Sequence, residues 1–552
     1  METNNAPKPV IYQLLPRLFT NYNPAPVPDG TLEQNGSGKL NQISATVLRH
    51  IRELGATHVW YTGVLEHAHT PDYTRYGIPR HNPHIIKGKA GSPYAITDYY
   101  DIDPDLSVSV PDRLAEFDRL VARTHRAGLR VIIDFVPNHV AREYHSDAAP
   151  ADVQDLGRGD LGHGSDAYVE FPARASGNDC FTAFPGKYDW YDTVKLNYGE
   201  APGYGRHFDP IPSTWLKMRD ILCYWARRGV DGFRCDMAHM VPVDFWRWAI
   251  PQVKAVSPGV VFIAEIYEVG LYRPYIFDAG FDYLYDKVNL YDSLRAIETA
   301  EHSAATLTSC WQTVDGIESH MLNFLENHDE QRFASPQYAG DASRVLPSLV
   351  VSTCIGTGPF MLYMGQELGE PGTDAEGYSG RDGRTTIFDY WSIASIRRWL
   401  NGGKCDGELT DAERTLRDTY RRVLTLCNSE DAIAHGQFFD LMYVNYDNAA
   451  FNPHRHFAFL RKSGEELLLI AVNFGDEAAD LCVNIPSHAF DCFGIRPAML
   501  DAVELLGGDA QRCYLSPDQP FATHIDAHGA VIWKMIIEKK SRSDKNRKTK
   551  KS

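Results

Sequence analysis

The sequence predicts an α/β protein built on a (β/α)8 barrel, with a domain inserted after the third strand and an antiparallel β-sandwich at the C-terminus. Three features of the chain predict it. Eight short, mostly apolar runs bounded by turn residues recur through the first 400 residues, as strands buried on both faces of a parallel sheet do. Amphipathic stretches at helical spacing alternate with several of them, the pattern of parallel strands joined by crossover helices. After about residue 405 the pattern changes to short alternating runs suited to an antiparallel sheet.

The eight runs are VIYQLL (10–15), THVWYTG (57–63), RVIIDF (130–135), VDGFRCD (230–236), VVFIAE (260–265), FDYLYD (281–286), HMLNFLEN (320–327) and PFMLYMG (359–365). PDRLAEFDRLVARTHRAG (111–128) reads as a helix, because Leu114, Phe117, Leu120 and Val121 share a face and Gly128 follows as a C-cap. STWLKMRDILCYWARRG (213–229) repeats the design, with Ser213 or Thr214 as N-cap and Gly229 at its end. The widest gap, residues 140–210, is rich in Gly, Asp, Pro and aromatics without long periodicity and reads as a small inserted domain. The barrel thus takes residues 8–139 and 211–404. HFAFLRK (456–462), LLLIAVNF (467–474) and VIWKMII (531–537), with Ser463-Gly464 as a hairpin turn, belong to a C-terminal domain over 405–538. Residues 539–552, KKSRSDKNRKTKKS, form a basic tail with no apolar residues from which to build a core.

The 552 residues are 43% apolar and 23% charged, the composition of an ordinary globular chain. A formal charge of −17 repels phosphate, so nucleic acid and anionic membranes are excluded as main partners and a neutral substrate is favoured. The ten cysteines lie far apart with no Cys-x-x-Cys pair, which points to reduced thiols rather than a zinc site or a disulfide framework. METNNAPKPV lacks a basic start followed by an apolar core, and no stretch is long enough to span a bilayer, so a cytoplasmic protein is expected. Oligomeric state is not legible.

Active sites of such barrels are built at the C-terminal ends of the strands, so polar residues that close an apolar run are read first. Four runs close that way: Asp134 to His139 (DFVPNH), Arg234 to Asp236 (RCD), Glu265 (FIAE) and Asn327 to Asp329 (NHD). Arg234 and Asp236 are two apart on a strand and point the same way, so the guanidinium is expected to lower the carboxyl pKa. Glu265, ending an apolar strand, is expected to have a raised pKa, as a proton donor needs. Each residue alone also has a purely structural reading, such as a brace on the barrel rim. Retaining cleavage of a glycosidic bond needs two carboxyl groups about 5 to 5.5 Å apart, which neighbouring strand ends can supply. His328 and Asp329 offer a donor and an acceptor to adjacent hydroxyls, Asn327 could equally cap the turn, and Tyr94 offers a face for a sugar ring.

Together DFVPNH, GFRCD, the strand ending in Glu265 and NHD resemble the ordered signature segments of the α-amylase family of glycoside hydrolases. IYQLLPRLF (11–19), YAITDYYDIDP (94–104), VKLN (194–197) and GTGPFMLYMGQELG (356–369) extend the resemblance over about residues 10 to 400. It implies a TIM barrel with an inserted domain and a C-terminal β-sandwich. It further implies Asp236 as nucleophile, Glu265 as general acid/base and Asp329 as a third carboxylate that grips the substrate. Arg234, His139 and His328 would bind the sugar, Tyr94 would stack beneath it, and Lys195 and Asn197 of VKLN would join the substrate-binding set. No cofactor is required for this chemistry. In many relatives Asn138 and the inserted domain hold a structural Ca²⁺, but MAHMVP (237–242) departs from the lysine-histidine pair of calcium-dependent members, so no metal ligand is assigned.

The implied reaction is hydrolysis of α-1,4-glucosidic bonds in starch, glycogen or maltooligosaccharides by double displacement. The same machinery serves an α-glucan transglycosidase or an enzyme of α-1,6 or sucrose-type bonds, and a non-catalytic carbohydrate-binding relative is the alternative of another class.

Overall fold

The computed structural model describes residues 7–161, 186–201 and 205–537. The basic tail and the middle of the expected insert lie outside them. Each of the eight apolar runs forms one strand of a closed parallel barrel: β1 (Val10–Leu14), β2 (His58–Tyr61), β3 (Arg130–Phe135), β4 (Gly232–Cys235), β5 (Val261–Ala264), β6 (Tyr283–Tyr285), β7 (Met321–Phe324) and β8 (Phe360–Tyr363). Neighbours around the barrel follow chain order, and β8 closes on β1. The strands read as continuous apolar runs because both of their faces are covered, one by the barrel interior and one by helices. Gly232 opens β4 where the barrel is tight: a Cβ there would sit 2.7 Å from Val261 Cγ2 and 3.1 Å from Ile132 Cγ1.

The crossover helices include α1 (Ala45–Glu53), α2 (Arg113–Arg126), α3 (Ser213–Arg227), α4 (Val243–Val256) and α5 (Leu346–Cys354). On α2 Phe117, Leu120 and Val121 are buried while Leu114 is only half-buried, and Gly128 follows at φ +76°. α3 departs from expectation at its start. Pro212 precedes its first turn, and neither Ser213 nor Thr214 caps it. Both hydroxyls instead donate to Asp160 Oδ1, at 2.7 and 3.1 Å, and Lys217 pairs with Asp160 Oδ2 at 2.5 Å. A carboxylate from the insert therefore occupies the positive end of α3, where the helix dipole favours it.

Between β3 and β4, the ribbon of His139–Ala141 pairs antiparallel with Thr193–Lys195, His139 opposite Lys195. After β8, helix α6 (Asp411–Ser429) lies along the barrel wall, where Gln366 donates to Tyr420 and Asn428 donates to the Gly55 carbonyl. The C-terminal sheets are built from β9 (Gln437–Asp440), β10 (His456–Ser463), β11 (Glu466–Asn473), β12 (Ala479–Val483), β13 (Ala498–Glu504), β14 (Ala510–Leu515), β15 (Phe521–Ile525) and β16 (Ala530–Ile536). Six of them form one antiparallel sheet in the order β9-β10-β11-β16-β13-β14, and β12 pairs with β15 separately, with Phe521 against Trp533 at 5.7 Å. The β10–β11 hairpin turns at Gly464-Glu465, one residue later than expected, because Ser463 still pairs with Glu466. The described cysteines are all free, and among the described residues no helix is long and apolar enough to cross a membrane.

Candidate active site

The register of three strands sets the centre of the site. Arg234 on β4 is opposite Asp134 on β3, and Cys235 is opposite Ala264 on β5. The next residues along β4 and β5, Asp236 and Glu265, therefore emerge side by side at the barrel's C-terminal end. Their backbones stay tied to it: Asp236 N donates to the Phe135 carbonyl at 2.9 Å and Glu265 N to the Cys235 carbonyl at 3.1 Å.

One guanidinium serves both carboxylates. Arg234, fully buried, places Nη1 2.7 Å from Asp236 Oδ1 and Nη2 2.7 Å from Glu265 Oε1. Trp60, Tyr94 and Tyr285 surround the guanidinium at 5.4 to 5.5 Å from their ring centres, and Tyr285 accepts from Nε. After Asp236 the chain turns through Met237 at φ +42°, which aims its amide at Glu265 Oε2, 2.8 Å away. Tyr267 donates to Glu265 Oε1 at 2.6 Å. The Asp236 carboxyl sits above its ordinary pKa, because burial outweighs the opposing Arg234 charge. The expected lowering by Arg234 is thus corrected: the guanidinium limits the rise without reversing it.

Asp329 flanks the pair from the loop after β7. Asn327 Oδ1 accepts from the Asp329 and Glu330 amides, so Asn327 caps this turn, while the Asp329 side chain keeps 42% of its exposure and opens into the cleft. Its carboxyl is also shifted upward, first by burial and then by the Glu265 charge. His328 stacks on Tyr94 at 5.3 Å and accepts from Gln13 Nε2 at Nδ1, which leaves the proton on Nε2, facing the Tyr94 hydroxyl and Asp329 Oδ2. Burial pushes His328 down to about 3 and His139 to about 4, so both rings are neutral at pH 7. The Tyr94 hydroxyl donates to Asp134 Oδ1 at 3.2 Å, and burial lifts Asp134 to about 7. His139 Nε2 lies 3.9 Å from Asp236 Oδ2.

Tyr94, His139, Asp236, Glu265 and Asp329 line one cavity of about 270 Å³, walled also by Trp190, Tyr267 and Phe388. An adjoining cavity of about 170 Å³ adds His328, Lys187, Tyr188, Tyr378 and Arg384. Of the nine expected site residues, Asp236, Glu265, Asp329, Arg234, His139, His328 and Tyr94 are brought together here. Lys195 and Asn197 lie outside the lining of both cavities. Asn197 Oδ1 accepts from the Gly199 amide, and Lys195 donates to Asn138 Oδ1 and, at 2.9 Å, to the Met240 carbonyl. Gln13, Tyr267 and Trp190 complete the site without having been singled out, and Asp134, named only as the start of DFVPNH, joins them in a role it had not been given. Only the position of Tyr267, two residues beyond Glu265, offered a local signal. A larger groove of about 910 Å³ between α6 and the C-terminal sheet contains none of these residues.

The calcium locus of the resembling proteins does not fit here. Where Asn138 Oδ1 and the Met240 carbonyl converge, the chain supplies the Lys195 ammonium, and a divalent cation at the same oxygens would meet that charge.

Residues 13–387 match the family model of the alpha-amylase catalytic domain, about two thirds of the chain and the whole barrel but its first residues. The chain belongs to the alpha-amylase family. It is 24% identical to neopullulanase 2 of Thermoactinomyces vulgaris over 66% of its length, and 28% identical to the alpha-amylase MalA of Haloarcula japonica over 59%. It spans 57% and 41% of those two relatives. The fold is that of a maltogenic alpha-amylase from Thermotoga neapolitana, with a TM-score of 0.64 at 19% identity over 97% of this chain and 100% of that one.

Proposed function

We propose that the protein is a retaining glycoside hydrolase that cleaves α-1,4-glucosidic bonds in starch, glycogen or maltooligosaccharides. The observation that carries this reading is the Arg234 clamp, which holds Asp236 and Glu265 side by side in one cavity. Two carboxyl groups bridged by one guanidinium fit the about 5 to 5.5 Å spacing of a retaining pair better than the about 6.5 to 9.5 Å that an inverting enzyme needs for its water.

In this reading Glu265 gives its proton to the glycosidic oxygen while an Asp236 oxygen attacks the anomeric carbon, so the C–O bond to the leaving sugar breaks as the Asp236 ester forms. Glu265 then takes a proton from water, the water oxygen attacks the same carbon, and the ester bond to Asp236 breaks. Asp329 and the neutral His328 bind adjacent hydroxyls. Tyr94, held between His328 and Asp134, presents an aromatic wall to the ring, and His139 reaches the hydroxyl nearest Asp236. No metal takes part in either step.

Reducing ends are measured on soluble starch and on maltoheptaose, with product lengths resolved by chromatography. The reading predicts shorter maltooligosaccharides accumulating with time, and at least about 10³-fold lower kcat in Asp236→Asn. No cleavage of either substrate, or full turnover by Asp236→Asn, would overturn it.

A further inference from the structure

Away from the cleft, four carboxylates converge beneath the ribbon that leads to Tyr94. Glu66 lies on the three-residue strand Leu65–His67, which pairs antiparallel with Ile96–Ile102, the strand that carries Asp98 and Asp101. Asp147 comes from the chain that enters the insert after the His139–Ala141 ribbon. Oxygens of Glu66, Asp101 and Asp147 all lie within 4.8 Å of one another.

The local charges do not balance. Arg113 pairs with Asp101, through Nε at 2.8 Å and also through Nη2, and approaches Asp147 at 3.8 Å. Asp98 is satisfied by the amides of Tyr100, Asp147 and Ala148. Glu66 is not satisfied. It is fully buried, Thr97 donates to its Oε1, and its Oε2 has no hydrogen-bond partner. Among the described residues no basic side chain pairs with it. A buried carboxylate in that position carries a desolvation cost that only a proton or a cation can offset.

We propose that Glu66, Asp101 and Asp147 bind a calcium ion, at a site separate from the catalytic cavity and from the Asn138 locus. The ligand chemistry is oxygen only, as hard divalent cations such as calcium require, and the three oxygens converge within 4.8 Å of one another, close enough to share one ion. Asp147 is exposed and gives the ion a way in. The orphaned Glu66 Oε2 gains a partner. Burial and the three neighbouring carboxylates also push Glu66 well above the ordinary carboxyl range, which is the strain that a bound cation relieves. Ligands from the Leu65–His67 ribbon, its partner strand and the entry to the insert would be joined by one ion, bracing the support of Tyr94 against the insert.

The test uses the full chain, stripped with chelator and titrated with CaCl₂ by calorimetry and by thermal melting, beside Glu66→Gln and Asp147→Asn. The wild type is expected to bind one calcium with a rise in Tm of several degrees. Each variant is expected to bind at least about tenfold more weakly, and metal-free Glu66→Gln to melt no lower than metal-free wild type. Asp147→Asn, at an exposed position, decides the matter if Glu66→Gln does not fold. No saturable heat and no shift in Tm with calcium would overturn the proposal, as would calcium binding that both variants leave unchanged.

Discussion

At the level of single residues, Arg234 touches Asp236 with one terminal nitrogen and Glu265 with the other, a division that a planar guanidinium can make and a lysine ammonium cannot. Arg234→Lys should therefore lower kcat/KM on maltoheptaose at least about 100-fold, because one of two buried carboxylates loses its counter-charge. Steady-state kinetics checks this, and a variant within tenfold of wild type would contradict the clamp. A second residue tests burial against charge. Glu298 is 4% exposed, Ser348 donates to one of its oxygens, the other has no partner, and burial lifts it to about 7. Its folded pKa lies above the unfolded one, so its contribution to stability is complete below about pH 4.5 and is lost as the pH rises through about 7. Glu298→Gln should remove that loss, worth about 3–4 kcal/mol at pH 8 and nothing at pH 4. Melting of both proteins from pH 4 to 8 checks it, and parallel curves would contradict it. Asp236, Glu265 and Asp329 were legible because each closes an apolar run, which is where a barrel exposes its chemistry. Gln13 was not, and Asp134 was read only as the start of DFVPNH, because their value lies in contacts with residues far along the chain: Gln13 with His328, Asp134 with Trp60 and Tyr94.

At the level of elements, the insert is fastened to the barrel by charged side chains that act on backbone and helix ends. Asp160 sits on the first turn of α3, and Lys195, opposite His139 in the ribbon, spans Asn138 after β3 and Met240 after β4. The ammonium holds together the two loops that carry His139 and Asp236. Lys195→Met, which keeps the apolar stem, should lower stability by about 1–3 kcal/mol by leaving two acceptors without their donor. It should also raise KM more than it lowers kcat, since His139 is displaced rather than removed. Calorimetry and kinetics check both effects, and an unchanged melt would contradict the strut. The eight strands were legible to within a few residues because a strand buried on both faces leaves little freedom in composition. The start of α3 was misread because Ser213 and Thr214 have the chemistry of caps, and only the fold reveals that Asp160 takes their hydroxyls. The β10–β11 turn slipped by one because Ser463 and Gly464 both suit a turn, and register is decided by the pairing of whole strands.

At the level of the whole molecule, the C-terminal sheets and the barrel share one continuous core. Leu467 to Val472 of β11 are fully buried, and Arg461 of β10 donates to the carbonyls of Ala432 and, beyond α5, Ile355. A chain ending at residue 436 would expose that apolar surface on α5 and α6, so it should be recovered largely insoluble, and a soluble truncated barrel with the Tm of the full chain would contradict the shared core. The change of periodicity after residue 405 announced a second kind of architecture, yet α6 lies inside that segment and packs on the barrel, because its apolar stripe fits the barrel wall as well as a sheet. All of these parts converge on one outcome at the anomeric carbon. Proton NMR of maltoheptaose digests, taken before mutarotation scrambles the first product, reads that outcome directly. The Asp236–Glu265 pair predicts the α-anomer as the initial product, whereas the β-anomer would show a single displacement by water and contradict the account.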